Sequence, residues 1–351
     1  MLILTITLAS LVMGLNLIVD HHAVRLSLFS GKKKIQQTVY PNGINQNIFN
    51  PEYVFRRPGE FDSFVFGSSR TSQIDVSKIP AGKFYNMSYS VGLPAQHLAI
   101  LKAFLKKGMK IKYVVIGLDD FCFNRSRPEA ENNLIRIMHP EAEGPGRLKI
   151  FFTYFFRKPE RLELSLWKKR VFRQDLKAAF PLSHEGLVLG WSDRDRLIEQ
   201  TGKPDFEYRI NKYEPLVYNE KKFDDAFRAI EELIHLAQDH DFKIIFFINP
   251  LYDQIYINNA QPLFAAKRRL ANLTDYYDFS GFNTITTNPL NYYDRSHYRF
   301  GVGRMITDRI FGDDKNTPDG FGILVTRKNV EAHLAKQKSD LDRYLKKYHL
   351  Q

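Results

Sequence analysis

Residues 61–70 read FDSFVFGSSR. The segment alternates into an apolar run and stops at Gly67, which predicts a buried strand ending in a tight turn. The same grammar continues downstream. Residues 94–107 show helical spacing through Leu98, Leu101 and Leu105 and close at Gly108. KYVVIGL over 112–118 predicts a second strand. FKIIFFI over 242–248 predicts a third, broken by Asn249-Pro250, and residues 276–279 a short fourth. Helices are expected over 223–238, with Phe223, Phe227, Ile230, Leu233 and Ile234 on one stripe, and over 299–311, with Val302, Met305, Ile306 and Ile310 apolar. Short apolar strands alternating with helices predict an α/β fold: a parallel sheet covered on both faces.

Outward from this core, the N-terminus differs in kind. MLILTITLASLVMGLNLIV over 1–19 has no charged side chain. At ~1.5 Å per residue it would reach roughly 28 Å, close to the thickness of a bilayer's hydrocarbon core. A single transmembrane anchor is expected. A cleaved signal peptide fits less well, because its apolar region would be shorter and no small-residue cleavage pattern follows Val19. A buried helix is the plain alternative. Residues 20–60, polar and without sustained periodicity, are expected to be a stalk or linker. Residues 61–351 then form the α/β domain. A basic, aromatic helical insertion is expected over about 121–220, either an ordinary solvated face or a surface for anionic lipid or acidic polymer. A C-terminal helix is expected over about 327–348, capped by Thr326 and packing through Val330, Leu334, Leu341 and Leu345.

Composition narrows the functional classes. The 351 residues contain 51 Lys and Arg against 39 Asp and Glu, a net charge of +12, and a single cysteine, Cys122. One cysteine excludes an intrachain disulfide framework, a thiolate zinc site and an iron–sulfur cluster. In its apolar surroundings Cys122 is expected to be a buried thiol. His184-Glu185 lacks the second histidine of a zinc HExxH site, since Val188 stands there. Gly301-Val302-Gly303 lacks the third glycine of a dinucleotide loop, and no phosphate-binding P-loop is present. No cofactor and no metal are expected. The excess positive charge comes without a nucleic-acid-binding motif, so nucleic acid is not an expected partner.

Three spots carry possible chemistry, two of them at the carboxyl ends of expected strands, where ligands of open α/β sheets bind. Gly67-Ser68-Ser69-Arg70 can present a serine hydroxyl beside backbone N–H groups. Gly117-Leu118-Asp119-Asp120 can bind substrate or cap the next segment. Asp294-Arg295-Ser296-His297 can set a carboxylate against one imidazole nitrogen and leave the other to face a nucleophile. Arg70 can pair with Asp119 or Asp120, or neutralise an acidic substrate. His97, near the start of the 94–107 helix, reads as a core or capping histidine or as a substrate contact.

The order of these blocks resembles the SGNH/GDSL hydrolase superfamily. Val65-Phe66-Gly67-Ser68-Ser69 resembles its first block, with Ser69 as nucleophile. Tyr85-Asn86-Met87-Ser88 through Gly92 resembles the second, and Asp294-x-x-His297 the last. The third block reads Gly117-Leu118-Asp119-Asp120, with Asp119 where the family has asparagine. An ionised carboxylate only accepts hydrogen bonds, so it would repel an oxyanion unless protonated or turned away. The closer resemblance is to membrane-tethered members of bacterial envelopes, of the D-alanine-transfer and alginate O-acetylation types, and Ser69, Asn86, His97, Asp119, Asp294, His297 and Tyr298 carry it.

The resemblance implies a three-layer α/β/α flavodoxin-like fold and a Ser69–His297–Asp294 catalytic set. It places Ser88, Gly92, Asp119, Arg70 and Asn86 around the oxyanion or substrate. It also implies a domain on the extracytoplasmic face of the cell membrane and a multi-pass membrane O-acyltransferase as partner, while the excess positive charge and the apolar N-terminus point to contact with an acidic polysaccharide or anionic lipid surface. The expected function is O-acyl transfer onto, or release from, an envelope polysaccharide. The alternative is a non-catalytic polymer-binding or scaffolding subunit of such a complex.

Overall fold

The structure is a computed structural model that describes residues 2–31, 44–125, 134–159, 164–165, 168, 182–207, 213–312 and 317–350. The chain divides into two compact units. One comprises residues 1–60, 99–109 and 128–190, and the other residues 61–98, 110–127 and 191–351.

The second unit is built on one sheet. Its strands are β1 (Ser63–Phe66), β2 (Phe84–Asn86), β3 (Tyr113–Leu118), β4 (Lys243–Ile248), β5 (Tyr276–Asp278) and β6 (Ile323–Val325), in the order β2-β1-β3-β4-β5-β6. All neighbours are parallel except β5 and β6. Strand β1 is buried at every residue, and β3 at all but Tyr113. A parallel strand covered on both faces needs such an uninterrupted apolar sequence. The four expected strands are therefore present within a residue or two. Strands β2 and β6 were not expected. Each has only three residues, and β6 leaves Ile323 and Leu324 exposed, so neither has a run long enough to show a period.

The longer helices among the described residues are α1 (Leu2–Val19), α2 (Gln46–Phe55), α3 (Pro94–Lys106), α4 (Arg147–Phe155), α5 (Ser192–Thr201), α6 (Glu220–Asp239), α7 (Asp253–Leu273), α8 (Phe300–Phe311) and α9 (Val330–Lys347), joined by short 3₁₀ turns and a π-helical turn at Arg25–Phe29. The result is α/β, a mostly parallel six-stranded sheet flanked by helices, compatible with three layers. Helix α7 escaped the sequence reading because Asn258, Asn259 and Pro262 interrupt its helical pattern. Helix α9 buries the four residues expected of it, together with Gln337. Its N-cap position is Asn329 rather than Thr326; the Thr326 carbonyl accepts from the Asn329 and Val330 amides instead.

The first unit corrects one expectation and leaves another unsupported. Where a stalk was expected, the described residues are packed: α2 is buried from Asn47 to Val54, and the Asn45 side chain caps it by accepting from the Ile48 amide. A helix buried all round shows no polar face, so its sequence lacks the amphipathic stripe that marks a surface helix. The expected transmembrane segment forms α1. Among the described residues, however, no helix is long and apolar enough to cross a membrane, so a span is not supported. The inner end of α1 packs instead into a cluster built from Val24, Leu28, Ile48, Ile137, Ile150, Tyr154 and Phe155, which Met13 and Leu17 join. Of the expected helical insertion, α4 and α5 lie among the described residues, and residues 169–181 lie outside them.

At the far end of the sheet a buried ion pair ties β5 to two helices. Lys267 of α7 lies 2.7 Å from Asp278 of β5, both side chains fully buried, and His333 of α9 reaches the same carboxylate at 2.8 Å. Burial alone would raise the Asp278 carboxyl, but Lys267 and His333 hold it well below the ordinary range. Its contribution to stability is thus present above the unfolded carboxyl's range and fades as acid titrates the folded group. Removing one partner of such a pair leaves an uncompensated charge. Lys267→Met is expected to lower unfolding free energy by about 3–5 kcal/mol, read as a fall in the urea midpoint with unchanged slope.

Candidate active site

Strand β1 ends at Phe66, and the chain turns at once. Gly67 permits the turn: a Cβ there would lie 2.1 Å from Thr71 Oγ1. A single 3₁₀ turn, Thr71–Gln73, follows rather than a long helix. The turn is closed locally. The Thr71 amide donates to the Ser68 carbonyl at 3.0 Å, the Arg70 amide to Ser68 Oγ at 3.1 Å, and Ser72 Oγ to the Ser69 carbonyl at 2.6 Å. Ser69 is left at the crest, partly exposed.

The loop before α8 supplies the other half. Tyr292 and Tyr298 pair as an antiparallel bridge, and the Tyr293 amide donates to the His297 carbonyl at 2.8 Å. Inside this closed turn, Asp294 Oδ1 accepts from the amides of Ser296 (2.7 Å) and His297 (2.8 Å). His297 Nδ1 lies 2.9 Å from Asp294 Oδ2 and 3.0 Å from Oδ1, so Nδ1 carries the proton and donates to the carboxylate. His297 Nε2 then accepts from Ser69 Oγ at 2.9 Å. Three side chains from two distant segments form one hydrogen-bonded line. Burial would raise the Asp294 carboxyl, but the bonds from His297 and from the two amides win and hold it at about 2. Asp294 thus stays ionised throughout the neutral range.

Arg70 fixes the frame. Its Nη1 donates to Asp119 Oδ1 at 2.8 Å and to Asp120 Oδ1 at 2.7 Å, while Nε faces the Ser296 carbonyl at 3.1 Å and Ser296 Oγ at 3.2 Å. Of the two roles open to Arg70 in sequence, the structure places it in the carboxylate pair. Burial, with Asp120 beside it, pushes the Asp119 carboxyl up, and Arg70 opposes that shift. The Asp119 carboxylate is therefore charge-compensated rather than bare.

Among the other expected residues, Asn86 is a brace. Its Nδ2 donates to the carbonyls of Thr71 and Ile74, and its Oδ1 accepts from the Ser88 amide at 3.0 Å. The Ser88 amide is thereby committed, so it is not an open oxyanion donor. Gly92 packs against the turn after β1, where a Cβ would lie 2.3 Å from the Gly67 carbonyl oxygen. His97 is fully buried and shares a 2.5 Å hydrogen bond with the Tyr89 hydroxyl; burial holds it neutral, with a pKa of about 3. Of the roles read in sequence, it has the core one. Cys122 is fully buried, and burial pushes its thiol well up.

Sequence reasoning missed Trp191. Its ring centroid lies 5.3 Å from that of His297, and it stacks on Tyr293 at 5.0 Å and 12°. Helix α5 follows directly, and Asp195 accepts from the Tyr293 hydroxyl and from Arg299 Nε, each at 2.7 Å. One end of the expected insertion thus walls the imidazole and braces its loop. The GLVLGWSDRD sequence carried no spacing to announce this. Asn249 was read only as a strand breaker, yet its side chain accepts from the Tyr298 hydroxyl at 3.2 Å.

No protein-family model matches the chain, and no curated protein matches it significantly. Among the described residues, no group of His, Cys, Asp and Glu could hold a metal ion.

Arg70→Leu strands two buried carboxylates and unties Ser296. It is expected to cost about 3–5 kcal/mol of stability, measured by urea unfolding, whereas Arg70→Lys restores part of the loss.

Proposed function

We propose that the chain is a serine-dependent acyl-ester enzyme of SGNH type that moves acyl groups onto or from a cell-envelope polysaccharide. The observation that carries the reading is the line Ser69 Oγ–His297 Nε2, 2.9 Å, continued by His297 Nδ1–Asp294 Oδ2, 2.9 Å. A serine hydroxyl is a weak nucleophile until a base takes its proton, and the base must be oriented by a third group.

The chemistry follows from the geometry. Ser69 Oγ attacks the acyl carbonyl carbon while its proton passes to His297 Nε2. Asp294 fixes the tautomer and stabilises the imidazolium. The tetrahedral intermediate collapses, the C–O bond to the leaving alcohol breaks, and His297 returns the proton to that oxygen. The acyl group now esterifies Ser69. An incoming hydroxyl, from a sugar or from water, loses its proton to His297 and attacks in turn. Arg70 and the Ser68 hydroxyl moderate the negative charge of Asp119.

Within this reading α1 is a single membrane anchor. Its 18 residues contain no acidic or basic side chain, and Ile3, Leu4, Ile6, Leu8 and Leu11 stand exposed for contact with lipid. The body is extracytoplasmic, and a multi-pass membrane O-acyltransferase is the partner that would deliver acyl groups. Asp119, in place of an amide donor, is the one observation favouring a second reading, a non-catalytic scaffold of that complex.

Turnover of p-nitrophenyl acetate by the full chain in detergent separates the two. Catalysis is expected to vanish in Ser69→Ala and to fall by about 10²–10⁴-fold in His297→Ala, with added oligosaccharide diverting acetyl from water. Turnover unaffected by both substitutions overturns the catalytic reading and leaves the scaffold.

A further inference from the structure

The first unit carries an exposed apolar face for which the acyl-ester chemistry has no use. In and just past helix α4, Leu148, Phe152 and Phe156 stand four residues apart and so share one face. All three are exposed, Leu148 to 72% and Phe152 to 52%. The opposite face, Ile150, Tyr154 and Phe155, is buried in the unit's core. Phe29 adds to the exposed set; its ring lies 5.5 Å from that of Phe151. A soluble surface does not gather large apolar side chains in this way without an occupant.

The same junction receives α1. Asn16 Nδ2 donates to the carbonyls of Phe155 (3.0 Å) and Arg157 (2.9 Å), which closes the C-terminal end of α4. Outward from that contact, Ile3, Leu4, Ile6, Leu8 and Leu11 of α1 are exposed. The exposed stripes of α1 and α4 thus leave one point of the unit.

Charge selects the occupant. Residues 144–158 read GPGRLKIFFTYFFRK, with four cations and no carboxylate, and residues 21–34 read HHAVRLSLFSGKKK, also without a carboxylate. Arg25, Arg147, Lys149 and Lys158, near the apolar residues in sequence, are exposed, and Arg147 Nη1 also donates to the Leu28 carbonyl at 2.7 Å. Apolar insertion flanked by lysine and arginine suits an anionic lipid surface. The core of a protein–protein interface is instead depleted of lysine.

We infer that this face of the first unit lies in the headgroup–acyl boundary of an anionic bilayer, with Leu148, Phe152 and Phe156 inserted and Arg25, Arg147, Lys149 and Lys158 at the lipid phosphates. The inference rests on the membrane attachment proposed above and deepens it. The chain is held at two places, by α1 and by the α4 face, which fixes the orientation of the first unit on the membrane.

The test uses the full chain in vesicles of phosphatidylcholine and phosphatidylglycerol whose acyl chains carry bromine near the headgroup. Phe152→Trp and, separately, Leu148→Trp add an emitter at exposed positions that tolerate exchange. Emission is compared with that of the wild type, whose Trp167 and Trp191 give the background. Bromine is expected to quench most of the added emission in anionic vesicles and less in pure phosphatidylcholine. Added emission that bromine leaves unquenched, from protein that floats with the vesicles, overturns the inference while attachment stands. Protein that does not float with the vesicles overturns both. Unquenched emission together with a dimer in detergent assigns the face to a second copy of this chain.

Discussion

The Arg70 guanidinium is the joint on which the site depends. It is buried, and it links the Ser69 turn after β1, the carboxylates after β3 and the loop before α8. Those segments lie 49 and 226 residues from Arg70 in the chain, so no local hydrogen bond could hold them in register. A bidentate cation is suited to such a place because its donors are fixed in one plane and it stays charged when buried. With Arg70 in place, Ser69 and His297 meet at hydrogen-bond distance. The interaction that compensates Asp119 is thus the one that holds Ser69 and His297 in line.

The sheet makes that joint possible. Parallel strands deliver their carboxyl ends to one edge, so the turns after β1, β3 and β4 share a rim. The rim is tight. Gly67 accommodates Thr71, and Gly92 accommodates the Gly67 carbonyl. Asn86 then binds the turn from below through two backbone carbonyls. Each of these residues acts on Ser69 by fixing the main chain beside it. The same packing explains why His97 and Cys122, both chemically capable, stay inert: each is fully buried, His97 neutral and Cys122 protonated.

Legibility in the sequence tracked the physical origin of each feature. Strands β1, β3, β4 and β5 were readable because their buried stretches demand apolar runs. Helices α3, α6, α8 and α9 were readable because one face is buried and the other is wet. Helix α2 was read as a stalk, since a helix buried on every side, with Asn47, Asn50 and Glu52 among its buried residues, has no stripe to find. Ser69, Asp294 and His297 were readable from their order along the chain, but the bond between Ser69 and His297 is a fact of tertiary structure. Trp191 was not readable at all. Its role comes from α5 docking through Asp195, and that contact spans about a hundred residues.

The most direct measurement of an activated Ser69 is covalent labelling of the folded full chain with a fluorophosphonate, mapped by peptide mass spectrometry. A stoichiometric adduct on Ser69 that disappears in His297→Ala is the predicted result. A folded protein that takes no label, or takes it on another residue, would contradict the account.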